Sequence, residues 1–192
     1  MKAPPLNPGA SSGVRSHRAR KDLLTPLSLP ADLPPDWQKV ALRKFEELLG
    51  QRRSLQLSLD VCVRCGACAD KCQFFLGTGD PNNMPVARAE LLRKVYRRHF
   101  TASGKLTGRL AAAEELTEEV LEQWYTYFYQ CSECRRCAVF CPFGIDTAEI
   151  TAAAREVMAS VGIATKYVTE VVKKANEIGN NMGIPEAAWR DS

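Results

Sequence analysis

Eight cysteines carry the only evident chemistry in this 192-residue sequence. They fall in two runs, "CVRCGACADKC" at 62–72 and "CSECRRCAVFC" at 131–141, both spaced C-x2-C-x2-C-x3-C. Cys62, Cys65, Cys68, Cys72, Cys131, Cys134, Cys137 and Cys141 account for every thiol, and none is left over. Four thiols within eleven residues suit a compact inorganic object better than a single ion. Zinc knuckles are commonly built from two-cysteine pairs set well apart. A disulfide framework would suit a small secreted chain, whereas paired cysteines in a reducing compartment read as metal ligands. Zinc and disulfides are therefore the competing readings to iron–sulfur clusters.

The doubled run resembles two-cluster ferredoxins. In their C-x2-C-x2-C-x3-C-P pattern, three cysteines hold one 4Fe–4S cluster and the fourth ligates the other. Carried over, the resemblance implies two 4Fe–4S clusters. Cys62, Cys65, Cys68 and Cys141 would hold the first, and Cys131, Cys134, Cys137 and Cys72 the second. Pro142 follows Cys141 as that pattern requires, but Gln73 follows Cys72. Gln73 keeps an N–H that a proline would lack, free to bond a sulfur or simply to begin a different loop. Residues 73–130 separate the runs, where small ferredoxins have a short link. Cluster loops held among helices are the expected arrangement.

The elements that must position these loops read as helices. "DWQKVALRKFEELL" at 36–49 places Trp37, Val40, Ala41, Phe45 and Leu48 near one face, with Gly50 as the stop. "SLQLSLD" alternates Leu55, Leu57 and Leu59 and reads as a short extended lead into the first run. "FFLGTGDPNNMP" reads as a loop. Pro85 opens a helix with Leu91, Leu92, Val95 and Phe100 on its apolar side. Thr117 caps a further helix over about 118–130, with Leu116 stapled to Leu121 and Glu118, Glu119 and Glu122 at its positive end. Trp124, Tyr125, Tyr127, Phe128 and Tyr129 crowd its last turns as core. Asp146 and Glu149 form a capping box before a helix ending at Gly162, and Tyr167 to Ile178 repeats the spacing up to Gly179. Another helix starts at Pro185. The fold class is all-α. Its domain spans 36–180, an extended or disordered Pro-rich arm occupies 1–35, and a linker or following domain starts at 181–192. The arm holds seven of the eleven prolines and is placed to lie along a partner if it orders at all.

The net charge of +4 is too small to imply a nucleic-acid partner. No stretch approaches the ~20 apolar residues of a membrane span, and the N-terminus has no apolar run after its basic residues. A cytoplasmic location follows as the default. Residues 86–109 carry Arg88, Arg93, Lys94, Arg97, Arg98, Lys105 and Arg109 against Glu90 alone. That excess suits a solvated helix face, docking to an acidic partner or anionic headgroups, or neutralisation by the acidic stretch from Glu114 to Glu122. No nucleic-acid recognition motif accompanies it. His17 and His99 stand without a matching ligand or nucleophile.

The two runs, the helical insertion between them, "YTYFYQCSECRRCAVFCPFGID" and "ANEIGNNMGIP" together resemble the iron–sulfur subunit (C/D type) of heterodisulfide reductases. Within that family they are most similar to the K subunit of the membrane complex associated with dissimilatory sulfite reductase. The resemblance spans about 36–192 and is densest from 124 to 185. It implies a subunit of sulfur metabolism on the cytoplasmic face, held to the membrane through a partner. Its electrons would pass between a membrane haem b subunit and a cysteine-rich, heterodisulfide-reductase-like catalytic module, with a small sulfur-carrier protein as a further partner. The runs alone also occur in iron–sulfur subunits of flavin-dependent hydroxyacid and glycerol-phosphate oxidoreductases. No Cys-Cys pair is present and no cysteine follows Cys141, so no residue here is expected to be catalytic in disulfide reduction. "AAWRDS" stops just inside an expected helix, which favours a chain that is the first part of something longer.

Overall fold

The computed structural model describes residues 18–190, and 1–17, with His17, and 191–192 lie outside them. Eleven helices form among the described residues: α1 Lys21–Leu24, α2 Trp37–Gln51, α3 Arg53–Val61, α4 Gln73–Thr78, α5 Pro85–Phe100, α6 Ala102–Thr107, α7 Glu118–Phe128, α8 Arg136–Val139, α9 Thr147–Ser160, α10 Lys166–Ile178 and α11 Glu186–Arg190. No strand is present among those residues, only one isolated antiparallel bridge between Arg18 and Thr165. The expectation of an all-α fold holds.

Helix α9 is the hub and touches α2, α3, α5, α7 and α8. Ala148, Ala153 and Ala154 are buried with Ile150, Val157 and Met158, and their small side chains let the neighbours approach closely. Around α9 pack Phe45 and Leu48 of α2, Leu92 and Val95 of α5, and Trp124 and Phe128 of α7, all at 1% exposure or less. Phe45 meets Phe100 edge-on with ring centres 5.1 Å apart, and Trp124 meets Phe128 in the same way at 5.9 Å.

The caps expected from sequence form where side chains reach the first free N–H groups. The Thr117 hydroxyl accepts from Val120 N, and the Asp146 carboxylate accepts from Ala148 N at 2.9 Å. The other half of the expected capping box is absent, because Glu149 accepts from the Ser54 hydroxyl at 2.6 Å and so ties α9 to α3. Gly179 ends α10 with φ 82°.

Three local expectations fail. Gly50 does not stop α2, which runs on to Gln51. "SLQLSLD" is helical, not extended: Leu55 and Leu59, four apart, are buried while Leu57 is 60% exposed. A leucine at every second position satisfies one helical face as well as one strand face, and packing on α2, α5 and α9 decides. The loop expected from Phe74 onwards begins as α4, and only beyond Gly79, at φ 64°, does the chain turn.

The described part of the Pro-rich arm lies on its own domain. Leu23 and Leu24 are buried, Ala19 N donates to Ala164 O at 2.8 Å, and Arg18 pairs with Glu122. Gly162, at φ 81°, makes this crossing possible, since a Cβ there would stand 2.3 Å from the Pro30 carbonyl oxygen.

Candidate iron–sulfur site

Each cysteine run follows the end of a helix, the first leaving α3 at Cys62 and the second leaving α7 at Cys131. Their backbones repeat. Arg64 and Glu133, each two residues past the first cysteine, have φ 58° and 54°. Gly66 and Arg135, each four past it, have φ 79° and 59°. Left-handed residues in such alternation turn successive N–H groups towards one side, as in anion-binding nests and iron–sulfur loops. Glu133 N accordingly donates to Cys131 Sγ at 3.4 Å. The middle cysteines, Cys65 and Cys134, are exposed in both runs, while the last of the first run, Cys72, is buried.

Two cavities result. One, of about 410 Å³ including its open mouth, is lined by Cys62, Cys65, Cys68 and Cys141, and also by Cys137. Its remaining wall is largely apolar: Val63, Val86, Ala89, Phe143 and Ile145. The other, of about 360 Å³, is lined by Cys72, Cys131, Cys134 and Cys137. Its wall is polar, with Lys71, Gln73, Arg88, Ser132, Glu133 and Arg135. Cys137 and Thr147 line both cavities and so form the partition between them. Among the described residues, no three His, Cys, Asp or Glu side chains converge as one metal ion would require. A zinc ion draws its sulfurs to ~2.3 Å from a single point. Thiols ringing a space fit a cuboidal cluster instead.

Burial pushes the Cys137 thiol up to about 11, against the opposing hydrogen bond from Thr147, and burial likewise raises Cys68. Such thiols ligate a metal only by giving up their protons, so loading the site releases protons.

Two arginines that sequence reading missed brace the loops. Arg93 of α5, 1% exposed, donates from Nε to Leu59 O at 2.7 Å, holding the end of α3 just before Cys62, and pairs with Glu90 at 2.6 Å. Arg155 of α9 donates to Phe128 O at 2.7 Å and to Cys131 O, and pairs with Glu133 at 2.7 Å. A third, Arg88, is equally buried and reaches Cys72 Sγ at 3.6 Å. Lys94 and Arg98 are taken up by Glu114 and Glu115, so much of the basic segment is spent inside the fold. Gln73 begins α4 and donates from its side chain to Ser132 Oγ at 3.1 Å, linking the two runs.

The family model described as "4Fe-4S dicluster domain" matches residues 58–145, both runs included, so fold and site are those of a chain with a 4Fe–4S domain. More narrowly, the chain is a homologue of the iron–sulfur subunits of heterodisulfide-reductase-like complexes, as its sequence motifs suggested. It is 51% identical over 152 residues to the Hdr-like menaquinol oxidoreductase iron–sulfur subunit 2 of Archaeoglobus fulgidus, an alignment covering 79% of this chain and 27% of that protein. Identity is 48% over 152 residues, with the same coverage, to the Hdr-like menaquinol oxidoreductase iron–sulfur subunit of Archaeoglobus profundus. One subunit of the dihydromethanophenazine:CoB–CoM heterodisulfide reductase of Methanosarcina barkeri is 32% identical over 107 residues, covering 56% of this chain and 25% of that protein. The chain thus spans about a quarter of the length of the curated relatives it matches. No solved structure matches it. No helix among the described residues is long and apolar enough to cross a membrane.

Proposed function

We propose that the chain is the two-cluster electron-relay part of a heterodisulfide-reductase-like complex. Cys62, Cys65, Cys68 and Cys141 hold one 4Fe–4S cluster, and Cys131, Cys134, Cys137 and Cys72 hold the other. The observation that carries this reading is the pair of thiol-lined cavities meeting at one partition, each bordered by three cysteines of one run and the fourth of the other, with Cys137 common to both. When bound, the clusters supply one-electron redox chemistry. The protein's own part is to fix the thiolates, turn backbone N–H groups towards them, and keep the two sites adjacent. All eight cysteines are spent as ligands, so none remains to attack a disulfide, and the chain carries no catalytic residue of its own. The relatives' names speak of a menaquinol oxidoreductase and a heterodisulfide reductase; with the motif resemblance, that supports electrons passing between a quinol-linked membrane haem b subunit and a cysteine-rich thiol–disulfide module.

Anaerobically purified protein is expected to be brown, with about eight irons and eight sulfides per chain, as two such clusters require. Colourless protein with stoichiometric zinc overturns the reading. Copurification with a haem b subunit tests the place in the complex.

A further inference from the structure

Arg88 is a buried cation without a buried anion. It is 1% exposed, and among the described residues no carboxylate pairs with it. Its Nη2 donates to the neutral Asn83 side chain at 2.9 Å, its Nη1 points at Cys72 Sγ at 3.6 Å, and its Nε has no partner. The Phe74 ring stands 5.9 Å from the guanidinium carbon. Arg93, buried to the same degree five residues on, has Glu90 at 2.6 Å. Taking an uncompensated charge out of water costs several kcal/mol. The position compounds this cost, because Arg88 sits in the first turn of α5, where the helix dipole disfavours a cation. Something anionic must repay it, and Arg88 faces the cavity of Cys72, Cys131, Cys134 and Cys137.

We propose that Arg88 is the built-in counter-cation of the second cavity, which raises the reduction potential of the cluster held there above that of its neighbour. Four thiolates outnumber the positive charge of a 4Fe–4S core, so the loaded site is anionic, and it gains a further negative charge on reduction. A nearby cation favours the reduced form, and net charge and hydrogen bonds to sulfur are among the terms that set cluster potentials. The other charged groups on this wall are already matched: Lys71 with Asp70, Glu133 with Arg155, and Arg135 with Asp146. On the first cavity the lining cation Arg64 is 47% exposed, so water screens its charge, and it reaches Glu90 at 3.2 Å, a carboxylate it shares with Arg93 and Arg97. Among the described residues, the buried cation that lines a cavity without any carboxylate partner is therefore on the second, and electrons delivered to the first run towards the second.

This rests on the two-cluster reading, and the experiment separates the two. The full chain, loaded anaerobically, is titrated reductively and followed by electron paramagnetic resonance, with the second cluster identified as the signal lost on Cys134→Ser, a ligand of that cavity whether or not the runs exchange their fourth cysteines. Arg88→Met should lower that cluster's reduction equilibrium constant tenfold or more, about 59 mV for one electron. The first cluster should shift less, and Arg88→Lys should restore most of the potential. If Arg88→Met instead fails to load the second cluster while Arg88→Lys loads it, the counter-cation role is equally upheld. Unchanged potentials in Arg88→Met, or equal loss in both variants, overturns it and leaves the two-cluster reading standing. A Cys134→Ser variant that keeps every cluster signal of the wild type removes both.

Discussion

The two cysteine runs share one backbone and differ in what surrounds it. Left-handed residues fall at the same two offsets, the middle cysteine is the exposed one in each, and an arginine from a facing helix holds the carbonyl end of the preceding helix. Yet one loop opens on Val63, Val86, Ala89 and Phe143, and the other on Lys71, Arg88, Glu133 and Arg135. In the proposed relay, the repeat would fix how a cluster is held, and the walls would fix its potential. Two equal sites would exchange electrons without direction, whereas unequal walls would give such a pair a slope.

The most severe way to break this comparison is to exchange its fourth walls. Cys72→Ser should abolish the cluster of the Cys131 loop, and Cys141→Ser that of the Cys62 loop, each removing about half the iron. Loss of the neighbour in sequence, read from the spectra of the reduced variants, would show that each run is self-contained. The braces come next. Arg155→Met removes charge-assisted bonds to Phe128 O and Cys131 O, and should cost about 2–3 kcal/mol in denaturant unfolding while releasing iron first from the second cavity. Arg93→Met should release it first from the first cavity, and iron release in the same order from both variants would dissolve the pairing of brace with loop. The smallest effect sharpens the comparison of backbones. Gly66→Ala meets no neighbour within 4 Å, so only its left-handed φ is charged, about 1 kcal/mol. Arg135→Gly relieves the same strain in the other loop but loses its contact with Asp146, and should change the unfolding midpoint little. Midpoints that fall equally in both would show that the loops do not carry the strain alike.

The helices and the cysteines were open to reading because they depend on local pattern. Proline at the start of α5, Thr117 and Asp146 as caps, and aromatic crowding in α7 all act within a turn or two. Where the pattern fitted two structures, as at Leu55, Leu57 and Leu59, only packing against distant helices decided. The same holds for the arginines. A basic segment looks like a solvated or docking surface, and burial of Arg88 and Arg93 depends on what stands opposite. One sign was present in the sequence: Arg88 lies at the wrong end of its helix for a cation. Arg155, by contrast, is marked by nothing nearby, because its partners are 22 to 27 positions away.

The entanglement of the two cavities bears on how the protein is made. A ribosome releases Cys62, Cys65, Cys68 and Cys72 long before Cys131 to Cys141. Until that second run emerges, the first cavity lacks the side formed by Cys141 and Phe143, and Cys72 faces a pocket whose other thiols do not yet exist. The partition also waits, since Thr147 comes later still. A nascent chain halted anywhere in residues 73–130 therefore exposes four reactive thiols with no finished site between them. In the proposed crossed ligation, iron would be delivered only after Thr147 has emerged, and the length of residues 73–130 would set the delay during which those thiols need protection from oxidation.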